Sequence, residues 1–369
     1  MSATDALFTP FKFKNLLLPN RIVMAPMTRS KSPDQIPGAD VAAYYRARAE
    51  GGVGLILTEG TVVEKSASND ANVPSFFGEK SLAGWANVLK QVKEVGGTIM
   101  PQLWHQGIMR HTGSGPYPEV PSKSPSGLSK PGKKVAEPMT HKDIDEAIEA
   151  FATAARAAKQ IGFDGVEIHG AHGYLIDQFF WDGVNARDDH FGGTLAERTR
   201  FAADIVKAVR AATAPDFPIL LRFSQWKQQD FGVRLAHTPQ ELESFLLPLA
   251  KAGVDMFHCS TRRFWEPEFA ETGSDMNLAG WTKKISGLPT MTVGSVSLNE
   301  DFINAFRGKA AETNHAHLDG LTKMLERGDF DLVAVGRALI VNPDWPNKVR
   351  QGKMNELKPW TPEALQTLV

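Results

Sequence analysis

Short apolar runs rich in β-branched residues recur along the chain, each separated from the next by material with helical spacing. They are RIVMAP (21–26), VGLILTEG (53–60), TIMPQLW (98–104), FDGVEIHG (163–170), PILLRFS (218–224), VDMFHCS (254–260), PTMTVGS (289–295) and FDLVAVG (330–336). Each has the length and composition of a strand buried on both faces.

The intervening segments carry helix signals. In MTHKDIDEAIEAFATAARAAKQIGFDG, Thr140 and Asp143 stand at capping-box spacing. Ile144, Ala147, Ile148, Phe151, Ala155 and Ala158 follow at helical intervals, and Gly162 sits where a C-terminal cap is expected. In TPQELESFLLPLAKAGVDMFHCS, Thr238 and Glu241 make a closer capping box, and Pro239 suits the first helical position.

Strands joined through helices form a parallel sheet, and eight such units most economically close into a (β/α)₈ TIM barrel, expected here as one domain over residues 1–369. An open doubly wound sheet shares the alternation, but no G-x-G-x-x-G fingerprint opens a helix after any strand. Two insertions stand out. Residues 105–138, rich in Pro, Gly, Ser and Lys, read as a long loop over the barrel mouth. Residues from about 261 to 280 carry aromatics and charges after the sixth strand.

Composition narrows the partners. The net charge of -1 leaves no basic field for nucleic acid or an anionic membrane. The single cysteine, Cys259, excludes an intramolecular disulfide and any cluster or zinc site needing several thiolates, which fits a reducing cytoplasm. Near the start, Leu16 to Leu18 form an apolar run far too short for a signal-peptide core or membrane span.

In such barrels the reactive groups sit at the carboxyl ends of the strands. Those ends hold Ala25, Pro26, Met27 and Thr28, then Thr58, Glu59 and Gly60, then Gln102 and Trp104. The fourth gives His169, His172 and Tyr174, and the fifth Arg222; Gly294 with Ser295 and Gly336 with Arg337 close the last two. Glycines after strands seven and eight let backbone N–H groups approach a phosphate, to which Arg337 can add a bidentate contact. Arg222 reads either as a salt-bridged structural residue or as a fixed charge beside a group that becomes anionic, such as N1 of a flavin. Gln102 suits a flavin pyrimidine edge or an internal network. His169 and His172 allow three readings: metal ligands with Glu167, as in a metal-dependent hydrolase or lyase; packed, hydrogen-bonded imidazoles; or donors to a substrate oxygen, with Tyr174 as proton source or merely an anchoring ring.

The block GFDGVEIHGAHGYLIDQFFWDGVNARDDHFGGTLAERTRF resembles the signature of the Old Yellow Enzyme family of FMN-dependent ene-reductases. The similarity extends through LFTPFKFKNLLLPNRIVMAPMTR, YYRARAEGGVGLILTEGT, PQLWHQG and FDLVAVGRALIVNPDW, in the family's order and over nearly the whole chain. The resemblance implies FMN at the barrel mouth, NADPH or NADH as electron donor, and an activated alkene (an α,β-unsaturated carbonyl, maleimide or nitroalkene) as acceptor. By the same resemblance Thr28 meets the flavin O4 edge, Ala25, Pro26, Met27 and Gly60 its ring, Gln102 its pyrimidine and Arg222 the N1 region. Gly294, Ser295, Gly336 and Arg337 then hold the phosphate; His169 and His172 hold the substrate oxygen, Tyr174 donates the proton, and Trp104 walls the pocket. A monomer or a homodimer is compatible with it. The sequence departs from the family at Gln225, where a proline is common, in the loops after strands three and six, and in the tail, so Trp265 and Trp360 receive no role from it.

Overall fold

The computed structural model describes residues 4–301, 308–314 and 316–369. Each apolar run forms a parallel strand: β1 (Ile22–Met24), β2 (Leu55–Val62), β3 (Ile99–Trp104), β4 (Val166–His169), β5 (Ile219–Ser224), β6 (Met256–Ser260), β7 (Thr290–Val293) and β8 (Leu332–Val335). Neighbours in sequence are neighbours in the sheet, and β8 pairs with β1 in the register Val333↔Ile22, so the sheet closes into the eight-stranded barrel. That closure excludes the open doubly wound sheet.

Every residue of β2, β3, β4 and β5 is buried, the consequence of side chains filling the barrel on one face and helices covering the other. Val23, Leu55, Leu57, Met100, Leu220, Met256, Met291 and Leu332 fill the interior, together with Phe13 and Leu18. The last two come from an N-terminal hairpin, Phe11–Phe13 against Leu16–Leu18, which plugs the barrel at the strand starts. The short apolar run near the start is thus one strand of this plug.

The helices follow the strands: α1 (Ala39–Glu50), α2 (Glu79–Lys93), α3 (His141–Ile161), α4 (Arg200–Ala212), α5 (Pro239–Ala252), α6 (Leu278–Ser286) and α7 (Ala316–Arg327). Helix α3 opens with the expected capping box: Asp143 N–H donates to Thr140 Oγ1, Thr140 N–H donates to Asp143 Oδ2 at 2.7 Å, and Gly162 closes it at φ 107°. At α5 only half the expected box forms. Glu241 N–H donates to Thr238 Oγ1, but the Glu241 carboxylate reaches one residue further back and accepts from His237 N–H at 2.6 Å.

The insertion over 105–138 contains a short hairpin, Leu128–Lys130 with Lys133–Lys134, and contributes no residue to the cavity at the barrel mouth. It is braced by arginines on main-chain carbonyls: Arg110, within it, donates to those of Tyr117 and Val120, and Arg187 to those of Pro125 and of Met139 just beyond it. The second insertion sends Thr261 and Arg262 to the cavity, while its Trp265 packs on His317 at 3.9 Å between ring centroids. Its last residues, from Leu278, already belong to α6. Among the described residues no helix is long and apolar enough to cross a membrane.

Candidate active site

A cavity of about 310 Å³ opens at the carboxyl ends of the strands, and every strand-end residue given a cofactor or substrate role above lines it. Ala25, Pro26, Met27 and Thr28 leave β1 along one edge, with Thr28 exposed at the rim. A register shift between Leu57 and Gly60 breaks the β2–β3 ladder and sets Gly60 opposite Gln102. A side chain at Gly60 would place its Cβ 3.0 Å from the Trp104 indole, so glycine keeps this wall flat.

The two residues in the shift do separate jobs. Thr58 Oγ1 accepts from Gln102 N–H, and Glu59 Oε2 accepts from the N–H groups of Arg29 and Ser30 at 2.9 and 3.2 Å, fixing the segment that carries Thr28. Burial pushes the Glu59 carboxyl up to about 7, against the pull of those two N–H donors. The folded protein therefore binds this proton more tightly than the unfolded chain, and stability falls as pH rises from about 4.5 through about 7. Glu59→Gln keeps an oxygen for both N–H groups and removes the titration. Its unfolding free energy is expected to exceed that of the parent by on the order of 3 kcal/mol above the folded pKa, with the gap closing toward the unfolded value. A gap of constant size in denaturant titrations across that range would contradict the assignment.

Tyr174 and the two histidines form one wall. After β4 the chain turns through two left-handed residues, His172 at φ 66° and Gly173 at φ 79°. The turn is held by His172 N–H donating to Ser224 Oγ at 2.9 Å and Gly173 N–H to Asp177 Oδ2 at 2.7 Å. Ring centroids of His169 lie 5.1 Å from His172 and 5.0 Å from Tyr174, and Trp104 meets Tyr174 edge-on at 5.0 Å. Burial, then the nearby Arg222 charge, holds both imidazoles well below their ordinary pKa, so both are neutral. His169 Nδ1 accepts from Ala171 N–H, which leaves the ring proton on Nε2, a donor for the cavity. His172 Nε2 pairs with Ser260 Oγ at 2.8 Å, and Ser260 Oγ also accepts from Arg222 at 3.1 Å.

Beneath this wall lies a buried polar network. Glu167 is fully buried; its Oε1 accepts from Gln102 Nε2 and its Oε2 from His258 Nδ1, both at 2.7 Å. Alternation along β4 turns Glu167 and His169 both into the barrel, but Glu167 is committed to Gln102 and His258 and is not offered to a metal. Among the described residues no three His, Cys, Asp or Glu side chains stand together as metal ligands. Because its amide nitrogen serves Glu167, Gln102 has its carbonyl oxygen left for the cavity it lines.

At the opposite corner Gly294 has φ 143° and a Cβ there would lie 2.7 Å from Thr261 O, so only glycine allows the approach. The Ser295 hydroxyl turns to the Arg262 and Glu300 carbonyls, leaving main-chain groups as its contribution to an anion site. Arg337, after Gly336, donates to the carbonyls of Asp301 and Glu300; burial lowers its pKa to about 10, and it stays cationic at neutral pH.

Several lining residues carry no signal in strand pattern: Trp226 and Gln228 on the loop after β5, and Trp360 and Leu365 from the tail. Ser260 was findable as the polar last residue of β6. The tail is held by Arg29, whose Nη2 donates to the carbonyls of Ala364 and Thr367.

The donors suit FMN. Arg222 Nε is buried without a partner and Trp104 Nε1 likewise, both in residues lining the cavity, while the Gln102 carbonyl can accept a ring N–H and Arg337 marks a cationic corner. The model of the NADH:flavin oxidoreductase / NADH oxidase family matches residues 6–356. The chain is 34% identical over 362 residues to an NADH oxidase of Thermoanaerobacter brockii, covering 95% of this chain and 52% of that protein, so it spans about half of that relative. It is 34% identical over 339 residues to a putative 12-oxophytodienoate reductase-like protein of Arabidopsis thaliana, covering 91% and 97% of the two. Morphinone reductase in complex with tetrahydroNAD superposes with a TM-score of 0.80 at 27% identity over 98% of this chain and 94% of that one. The old yellow enzyme homologue from Zymomonas mobilis does so at 0.79 and 26%, over 98% and 96%. With the closed barrel and this cavity, the match over residues 6–356 means that the chain belongs to the Old Yellow Enzyme family and is an FMN-dependent oxidoreductase acting on C=C bonds.

Proposed function

We propose that the protein is an ene-reductase in which NADPH or NADH is the reductant and an alkene conjugated to a carbonyl, imide or nitro group is the acceptor. The observation that carries this reading is the wall of His169, His172 and Tyr174. Two neutral imidazoles and a phenol face one cavity, with a ring N–H of His169 directed by the Ala171 N–H bond.

Bound FMN supplies the hydride chemistry, accepting from the nicotinamide and donating to the alkene. Thr28, Gly60, Gln102 and Arg222 would hold its ring, and Gly294, Ser295, Gly336 and Arg337 its phosphate end. His169 and His172 hold the electron-withdrawing oxygen of the substrate, so that negative charge gathering there meets fixed N–H donors in a site shielded from water. Arg222, fully set in the barrel, adds positive charge that needs no rearrangement. Tyr174 protonates the α carbon. Trp104 limits how the alkene lies. Morphinone reductase binds tetrahydroNAD, which supports one cavity serving nicotinamide and alkene in turn.

The test is direct. The purified protein should hold FMN, bleach under anaerobic NADPH or NADH, and regain its colour with 2-cyclohexenone, N-phenylmaleimide or a nitroalkene. Protein that binds FMN and is bleached by nicotinamide, yet is reoxidised by none of the three alkenes, would refute the ene-reductase reading.

A further inference from the structure

We propose that Gln228, on the loop after β5, is a positioning residue for proton transfer from Tyr174, an inference that rests on the reading of Tyr174 as the proton donor. The segment SQWKQQD (224–230) holds Gln225, the position where the sequence departs from the family's usual proline, and in the fold it is fastened to the turn that carries His172 and Tyr174. Lys227 Nζ donates to Asp177 Oδ1 at 2.5 Å, and both side chains are fully buried. Gln228 N–H donates to His172 O at 3.3 Å, and Gln229 Nε2 donates to Gly173 O at 2.7 Å. A Cβ on Gly173 would lie 1.8 Å from Gln229 Oε1, so turn and loop touch backbone to side chain. Trp226 stacks on His172 with centroids 4.6 Å apart and planes 19° from parallel.

From this anchored loop the Gln228 side chain reaches the cavity, and its Nε2 donates to Tyr174 Oη at 3.2 Å. Among the described residues this is the only hydrogen bond to that phenol. A donor at the oxygen has two consequences. The phenol's own hydrogen must point elsewhere, and the remaining open direction is the cavity. As the proton leaves, the N–H stays on the oxygen and stabilises the phenolate. The step balances as follows: hydride adds to the β carbon, the alkene π pair takes the Tyr174 proton at the α carbon, the O–H bond breaks, and the phenolate recovers a proton from water. Gln228 transfers nothing. Burial raises the Tyr174 pKa and the Gln228 contact opposes that rise, in keeping with this role.

Two variants test it in the FMN-loaded protein: Gln228→Leu, which removes the donor, and Gln228→Glu, which replaces it with an acceptor of equal length. Each is expected to slow anaerobic reoxidation of the reduced protein by 2-cyclohexenone about 10- to 100-fold. Reduction by nicotinamide should stay within about twofold, because no proton from Tyr174 is involved. Each should also move the ionisation of Tyr174, read as the ultraviolet difference against Tyr174→Phe, up by about one pH unit. In a Tyr174→Phe background, Gln228→Leu should add no further slowing. If Tyr174→Phe itself leaves reoxidation unchanged, the proton-donor reading fails and this proposal with it. If Tyr174→Phe slows reoxidation while the Gln228 variants move neither rate nor ionisation, or slow the Tyr174→Phe protein as much as the parent, the positioning role alone is overturned.

Discussion

Tyr174→Phe is expected to slow reoxidation of the reduced protein by 2-cyclohexenone by about 10²–10⁴-fold, the range over which a positioned general acid acts. The variant keeps the ring, so its edge-on packing against Trp104 and His169 survives and the cavity keeps its shape. What it loses is the one hydroxyl in the histidine wall that carries a proton at neutral pH, since burial raises the phenol above its ordinary value. Binding of the substrate oxygen by His169 and His172 should persist, so the substrate dissociation constant should change far less than the rate. Reduction by nicotinamide should be nearly untouched. Stopped-flow measurement of the two half-reactions separates these outcomes, and an equal loss in both would show that Tyr174 shapes the site without giving up its proton.

The barrel was legible because burial on both faces leaves the strands largely as apolar runs, as in Leu332–Val335, and because the chemically able residues gather toward the carboxyl ends. The lining residues on those ends, from Ala25 to Arg337, followed from the same logic. Less was legible where side chains grip main-chain carbonyls, which have no sequence signature. Arg29 holds the tail that brings Trp360 and Leu365 to the cavity through the carbonyls of Ala364 and Thr367, and Arg110 and Arg187 brace the 105–138 insertion, which lines none of the cavity, through the carbonyls of Val120 and Pro125. Glu167 shows a second limit. Its place two residues before His169 in β4 turns it inward, but only the register Gln102↔Glu167 and the reach of His258 decide that it serves Gln102 and leaves no ligand for a metal. The loop after β5 shows a third: Trp226 and Gln228 reach the site because Lys227 between them is buried, and a lysine in a polar run reads as exposed.

That lysine carries the largest stability effect expected here. Lys227→Met should destabilise the protein by about 3–5 kcal/mol, because it strands the fully buried Asp177 carboxylate without its counter-charge. Asp177 keeps one partner, the Gly173 N–H at 2.7 Å, which does not neutralise it. Burial already raises the Asp177 pKa against the pull of Lys227, so without the lysine the carboxyl should take up a proton well above its usual range. The sign of the pH dependence follows: the folded variant binds that proton more tightly than the unfolded chain, so its deficit relative to the parent should shrink as pH falls toward 5 and widen above neutrality. A second substitution makes the cause separable from lost packing. Lys227→Met with Asp177→Leu removes both charges and should recover most of the loss, as apolar replacements of buried pairs do. Denaturant unfolding of the three proteins at two pH values decides the matter: a single variant within about 1 kcal/mol of the parent, or a double variant no better than the single, would mean that the buried pair is not what fastens the β5 loop to the His172–Tyr174 turn.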